Sequence, residues 1–183
     1  MTATKRDYCN GGCFDIMRVQ LAGGYVFSCG QIITASSSYI PTSVKFKIFK
    51  TGSSPPTTYV SIYTLGSVLV ASGIIDNSLI SVGFPYVEIT VNLTTINANV
   101  LSGYQYYILI EPQNNAGDAL VFYKSAGYDG GEAYYREGYI PAAVWSAFPG
   151  YDLWFEVWGI DRDNVLTTSL KTNSRNNAVI FGG

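Results

Sequence analysis

The chain has 183 residues, a net charge of −2 and only 13% charged side chains. That share is about half the usual one in globular proteins. A nucleic-acid-binding protein would show a basic stripe, so the charge balance argues against that class. No run approaches the roughly 20 apolar residues of a membrane-spanning helix. The length fits one domain, and fifteen tyrosines with nineteen glycines favour a β-rich extracellular or virion-type surface.

The first 23 residues form a polar, glycine-punctuated segment that we interpret as an N-terminal arm. Cys9 and Cys13 lie in it, and Cys29 follows shortly after. Three thiolates with Asp7 or Asp15 would make a metal site, but zinc sites usually use CxxC pairs and histidine, and the chain has no histidine. We therefore expect no transition metal. A disulfide from Cys9 to Cys13 or Cys29, in an oxidising compartment, and free, partly buried thiols both stay open.

Strand patterns follow one another between residues 24 and 159. Residues 24–34 predict an early strand pair that is interrupted at Gly30. In Ser43–Lys50, apolar residues alternate with lysines, which indicates a half-buried antiparallel strand. The segment Gly138–Gly150 has the composition of a long surface loop. Further strand patterns cover Tyr59–Leu65, Val68–Ile75, Tyr86–Asn92, Ala119–Lys124 and Asp152–Gly159.

Tyr104–Glu111 is predicted to be a central strand. Its core face contains Tyr106, Ile108 and Ile110. The opposite face carries Tyr107 and Leu109, and the last strand similarly carries Trp154 and Trp158 opposite its own core face. These apolar groups are too many to stay exposed in a soluble monomer. We expect another subunit, or the chain's own arm, to cover them.

Short strands separated by turn signals, with no sustained helical period, predict an all-β, antiparallel β-sandwich of jelly-roll type. The runs PTSVKFKIFKTGSSPP, VSIY, LVASGIID, VLSGYQYYILIEP, YDGGEAYY and YDLWFEVWG carry a resemblance. They are similar to jelly-roll, carbohydrate-binding-module-like domains of prokaryotic surface proteins and of phage and archaeal virus structural proteins. The resemblance spans residues 24–159, so we expect an N-terminal arm over 1–23 and a C-terminal arm over 160–183.

The resemblance implies a virion structural protein, such as a capsid, decoration, fibre or tail component, that assembles with copies of itself or with other virion proteins. The alternative is an extracellular or cell-surface module for carbohydrate binding or adhesion. The N-terminus lacks the apolar core of a secretory signal, and the chain shows no anchor and a single domain copy, which favours the virion. Interface or glycan-binding candidates are Tyr107, Leu109, Tyr128, Tyr134, Tyr135, Trp145, Trp154 and Trp158.

Catalytic arrangements are weakly supported by the sequence. Without histidine, neither a Ser-His-Asp nor a Cys-His arrangement is available. A glycosidase needs two carboxylates at ~5–9 Å, and sequence spacing does not place any two together. The available glutamates are Glu88, Glu111, Glu132 and Glu156. We therefore expect no enzymatic activity.

A structural calcium ion is the one cofactor that the sequence suggests. Asp118, Asp129 and Glu132 offer hard oxygen ligands around a glycine-flexible backbone, which calcium favours. Many jelly-roll modules hold such an ion, so the resemblance supports the site. The alternative is an ordinary Asp-Gly turn.

The C-terminal segment is the candidate assembly arm. Ile160–Asn177 is polar, and the apolar residues Val179, Ile180 and Phe181 follow it. We favour addition of this plug as a strand to a neighbour's sheet edge, over folding back on its own sandwich or fraying.

Deletion of Asn177–Gly183 is therefore expected to reduce the oligomers that the full chain forms, because the added strand supplies main-chain hydrogen bonds. Light scattering and thermal unfolding of both proteins test this expectation. Unchanged oligomers with unchanged stability would rule out an assembly arm.

Overall fold

A computed structural model of the chain describes residues 2–9, 15–97, 100–125, 128, 130–139 and 144–162. These residues form fourteen β-strands and a three-residue 3-10 helix, Asn77–Leu79. None of the described helical segments has the length and apolar character needed to cross a membrane. The strands are β1 Thr4–Cys9, β2 Asp15–Ala22, β3 Tyr25–Thr34, β4 Tyr39–Lys50, β5 Thr58–Thr64, β6 Leu69–Ile74, β7 Val87–Asn92, β8 Thr94–Thr95, β9 Gln105–Pro112, β10 Leu120–Ser125, β11 Ala133–Tyr139, β12 Val144–Phe148, β13 Asp152–Leu153 and β14 Phe155–Asp161.

The strands pair antiparallel and are arranged in two sheets. Sheet A runs β1, β14, β4, β7, and β10 joins it by pairing with β4 and β13. Sheet B runs β12, β11, β3, β9, β5, β6, β8. Strand β2 passes between them, since its first half pairs with β10 and its second half with β3. One residue separates β7 in sheet A from β8 in sheet B, so the chain also changes sheets there.

The inward faces of both sheets share one apolar core, which is the arrangement of an all-β sandwich. In sheet A, the rings of Phe46 and Phe122 meet edge to face with their centroids 5.4 Å apart. Sheet B contributes the core face predicted for β9: Tyr106, Ile108 and Ile110 are all buried. The antiparallel all-β fold is confirmed, whereas the jelly-roll connectivity stays a prediction.

The described parts of the N-terminal segment, β1 and β2, belong to the sheets, although the sequence pattern predicts an arm. Strand β1 takes the edge of β14, with Lys5 opposite Trp158 and Cys9 opposite Phe155. The carboxylate of Asp7 is buried and accepts hydrogen bonds from the Ser36 amide at 2.9 Å and the Tyr39 hydroxyl at 2.7 Å. A buried polar anchor of this kind gives no apolar period, so the strand was not recognised.

Two further segments differ from the sequence-based expectation. Strand β3 runs without a break through Gly30, so the predicted interruption is wrong. The predicted loop Gly138–Gly150 contains β12, which pairs with β11. At the other end of the domain, β14 continues to Asp161, two residues past the predicted end. The assembly-arm residues Val179, Ile180 and Phe181 lie outside the described residues, so their role stays a prediction.

A buried amide joins the two sheets. The side chain of Gln31 on β3 is fully buried; its Nε2 donates to Asp152 Oδ1 at 2.9 Å, and its Oε1 accepts from the Leu153 amide at 2.8 Å. The second oxygen of Asp152 accepts from the Tyr128 amide at 3.1 Å. Buried polar groups must be paired to be tolerated, so this tie fixes β3 in sheet B against β13 in sheet A.

The substitution Gln31→Leu tests this tie. It preserves volume but removes the acceptor of the buried Leu153 amide and one donor to Asp152, which is expected to cost about 1–3 kcal/mol per unsatisfied group. Urea unfolding should show a lower midpoint at a similar slope. The control Gln105→Leu changes an exposed glutamine on the adjacent strand β9 and should shift the midpoint little; equal shifts for both variants would contradict the assignment.

Candidate functional site

A surface groove of about 490 Å³ lies on the outer face of sheet B. Strands β5, β9, β11 and β12 and the turn between β5 and β6 contribute its walls. Its volume falls within the range of roughly 300–1,000 Å³ that is typical of small-molecule sites. The lining residues are Tyr63, Leu65, Ser67, Tyr107, Leu109, Glu111, Tyr134 and Trp145.

The floor of the groove exists because one position in the sheet has no side chain. Gly30 on β3 lies between Leu109 on β9 and Tyr134 on β11 in the strand register. A Cβ atom at Gly30 would stand 2.8 Å from the Ile108 carbonyl oxygen, 2.9 Å from Leu109 Cδ2 and 3.6 Å from Trp145 Cζ3. The glycine therefore lets the indole of Trp145 and the side chain of Leu109 close over the strand.

The aromatic walls come from residues that are far apart in sequence and adjacent in register. Tyr63 on β5 is paired with Tyr107 on β9. The ring of Tyr107 meets that of Tyr134 on β11 edge to face, with the centroids 6.1 Å apart. Both sit on the outward side of their strands, so three tyrosine side chains and Trp145 line one surface.

The rim of the groove is a tight turn with an unusual backbone. Ser67 has a φ of 63°, in the left-handed region, which costs a residue other than glycine on the order of 1–2 kcal/mol. The turn is held by Thr64, whose carbonyl accepts from the Ser67 amide at 3.0 Å and whose Oγ1 accepts from the Val68 amide at 3.1 Å. This turn places Leu65 and Ser67, both exposed, at the mouth of the groove.

One ion pair sets the electrostatics of the groove. Glu111 Oε1 lies 3.4 Å from Arg136 Nη2, and the Arg136 guanidinium is 5.5 Å from the centre of the Trp145 ring. The Nε of Arg136 is buried and has no hydrogen-bond partner among the described residues. Desolvation raises the pKa of Tyr134, with smaller contributions from Tyr107 and Glu132. The tyrosine is therefore a neutral hydroxyl at pH 7 and a potential hydrogen-bond donor.

Four of the eight predicted aromatic and apolar candidates line this groove: Tyr107, Leu109, Tyr134 and Trp145. Two others pack against the core. The Tyr128 ring lies 5.2 Å from that of Phe155, and the Tyr135 ring 5.6 Å from that of Phe148. Burial, followed by the charge of Asp7, raises the pKa of Tyr128.

The remaining two candidates, Trp154 between β13 and β14 and Trp158 on β14, are on the sheet A side and lie beside lysines of β4. Trp154 is only 4% exposed, and the Lys47 ammonium sits 4.6 Å from its ring centre. The Lys45 ammonium is 4.7 Å from the ring centre of Trp158, which is half-buried. Lysine stems cover apolar surface while their charged ends stay in water. In the described residues, β4 thus provides cover that we expected from a partner or an arm.

The predicted calcium ligands are not brought together in the described residues. Asp118, just before β10, accepts a hydrogen bond from the Ser54 amide at 2.8 Å. Glu132 is exposed and comes after the far end of β10. Asp129 lies outside the described residues. No group of three or more acidic or sulfur ligands suited to a metal occurs in the described part of the chain, and calcium stays a prediction.

Three of the four glutamates considered for glycoside hydrolysis are paired with cations, and these three are divided between the two sheets. Glu88 lies 3.8 Å from Lys47, and Glu156 lies 3.2 Å from Lys5, on sheet A. Glu111 belongs to sheet B, where it pairs with Arg136. The absence of enzymatic activity stays an expectation.

The two described cysteines are both buried, Cys9 on β1 and Cys29 on β3, and no disulfide joins them. Burial raises the pKa of the Cys29 thiol, so this sulfur is a poor nucleophile and a poor metal ligand at neutral pH. Cys13 lies outside the described residues, and its pairing and metal binding stay predictions.

A scan against protein-family models found no match for this chain, and a search of curated proteins found none either. The resemblance to carbohydrate-binding-module-like domains therefore rests on the sequence pattern alone.

The sequence pattern does not indicate three of the eight residues that line the groove. Tyr63, Leu65 and Ser67 were not singled out, because nothing local indicates that β5 lies beside β9. The outward position of Tyr63 was readable from the alternation of its strand. The sequence pattern predicts a strand break at Gly30, whereas in the structure this glycine is a point of close approach between strands.

The substitution Gly30→Ala tests whether the absence of a side chain at this position allows Leu109 and Trp145 to pack over β3. The added methyl meets the rigid Ile108 carbonyl and is expected to cost about 1–3 kcal/mol, as overpacking typically does, while changing the fluorescence of Trp145. The matched control is Gly117→Ala, where a Cβ meets nothing within 4 Å. Thermal unfolding and emission spectra of both variants should differ; identical behaviour would contradict the packing described.

Proposed function

We propose that this chain is a non-enzymatic carbohydrate-binding or adhesion module that holds a saccharide in the groove on sheet B. The observation that carries the proposal is the convergence of Tyr63, Tyr107, Tyr134 and Trp145 on one concave surface. An extracellular or virion surface would suit such a module equally.

The chemistry of the groove matches the chemistry of a sugar. A pyranose ring has apolar C–H faces and a polar rim of hydroxyls, and an aromatic side chain offers an apolar face with, in tyrosine, a polar end. Ligand sites typically combine such apolar walls with a few placed polar groups. Here the polar groups are the tyrosine hydroxyls, Ser67 and the carboxylate of Glu111.

The other aromatic surface is less suited to a ligand. On sheet A the lysines of β4 lie over Trp154 and Trp158, as described above. None of the lysines in the described residues lines the groove on sheet B. A ligand in this groove therefore meets aromatic side chains that no lysine of the described residues covers.

The substitution Trp145→Ala should weaken saccharide binding by on the order of 2 kcal/mol, about 30-fold in affinity, as for a central aromatic anchor. Calorimetric titration with neutral polysaccharides measures this loss, and Tyr63→Ala provides a second groove variant. The matched control is Trp158→Ala, which removes a half-buried tryptophan from the other sheet and should leave affinity unchanged. Equal affinity of the wild type and both groove variants would refute the proposed site.

A virion structural subunit is the second candidate, and a separate apolar surface favours it. The segment between β6 and β7 exposes Leu79, Val82 and Phe84, the last to 76%. Large apolar side chains exposed close together in one segment are the composition expected of an interaction surface. The mass of the particle at micromolar concentration separates the two roles: a monomer that binds polysaccharide supports the module, and a symmetric oligomer without saccharide binding supports the subunit.

A further inference from the structure

We infer that the groove selects uncharged saccharides and that Glu111 is the residue that excludes acidic ones. This inference rests on the proposed saccharide binding and specifies its ligand class. It concerns uronates and other carboxylated or sulfated sugars, as opposed to neutral hexose polymers.

The first step is the charge of the lining. Of the eight lining residues, seven are neutral at pH 7 and one, Glu111, is an acid. Its side chain is 25% exposed, so the carboxylate is within reach of a ligand. A carboxylate only accepts hydrogen bonds, and it therefore pairs with sugar hydroxyls but repels a second carboxylate.

The second step is the position of the one nearby cation. Arg136 does not line the groove; its Nη2 is engaged by Glu111 and its Nε is shut off from solvent. Its guanidinium also lies against the Trp145 ring. In the groove an acidic ligand would thus meet the Glu111 carboxylate, whereas Arg136 lies outside the lining and its Nη2 already contacts Glu111. Like-charge contacts in an interface are strongly unfavourable.

The third step is the supply of hydrogen-bond donors. Three tyrosine hydroxyls and Ser67 can each donate one hydrogen bond and accept others. Such groups match the hydroxyls of a neutral sugar, which also donate and accept. They do not neutralise a negative charge. The lining therefore replaces the hydrogen bonds that a hydroxyl-rich ligand loses to water, but it does not offset the charge of an anionic ligand.

The test uses soluble glucan, mannan and galactan, each beside its C6-oxidised, uronate-bearing derivative. Affinities of the full chain are measured by calorimetric titration at low salt. We expect at least one neutral polymer to bind about tenfold more tightly than its oxidised form, the direction that like-charge exclusion requires. In Glu111→Gln the ratio should fall towards one. The control Glu137→Gln makes the same change in net charge on β11, outside the groove lining, and should keep the wild-type ratio.

Each outcome has a distinct meaning. Equal or tighter binding of the oxidised polymers by the wild type overturns the selectivity but leaves saccharide binding in place. A neutral preference that survives Glu111→Gln overturns the role of Glu111. Binding of none of the six polymers refutes the proposed function, and the inference with it. Because the variant carries a folding risk, its unfolding midpoint is recorded, and salt provides a second readout: near 1 M, where the screening length is about 3 Å, the wild-type preference should shrink.

Discussion

The amide of Gln31 is the interaction on which the arrangement of the two sheets depends. Apolar side chains hold sheets together without fixing their relative position, because hydrophobic contact is non-directional. Gln31 instead makes directed hydrogen bonds to Asp152 and to the Leu153 backbone in the opposite sheet. Asp152 in turn accepts a hydrogen bond from the amide of Tyr128, so the same group also positions that residue. The cost of leaving any of these groups unpaired makes one alignment of the sheets strongly preferred.

The geometry of the groove on sheet B depends on these hydrogen bonds of Gln31. Side chains alternate along a strand, so when Gln31 points inward its neighbours Gly30 and Ile32 point outward. Fixing β3 through Gln31 therefore fixes the gap at Gly30, over which Leu109 and Trp145 lie. The amide of Ile32 also binds the Glu132 carbonyl at 2.9 Å, which leads β11 into register beside β3. The aromatic surface is thus positioned from inside the core.

Local features of the fold could be predicted from the sequence, and non-local ones could not. The two faces of β9 were predicted correctly because alternation is a property of the strand itself. The outward lysines of β4 were also recognised, yet their cover over Trp154 and Trp158 depends on the register between β4 and β14. Likewise, the pairing of Tyr63 with Tyr107 depends on strand order. The buried Asp7 shows a third limit, since a polar anchor leaves no apolar period to detect.

The two outer faces of the sandwich show how the same residue types acquire different roles. Both carry tryptophan or tyrosine on the side away from the core. That feature alone would predict two apolar surfaces that bind partners. On sheet A, Lys45 and Lys47 stand beside the tryptophans and turn an apolar face into a hydrated one. On sheet B, the corresponding cation is Arg136, which is held against Glu111 and Trp145 and leaves the tyrosines uncovered. Because lysines cover the tryptophans on sheet A and leave the groove on sheet B uncovered, the two faces differ in their contacts and not in their aromatic content.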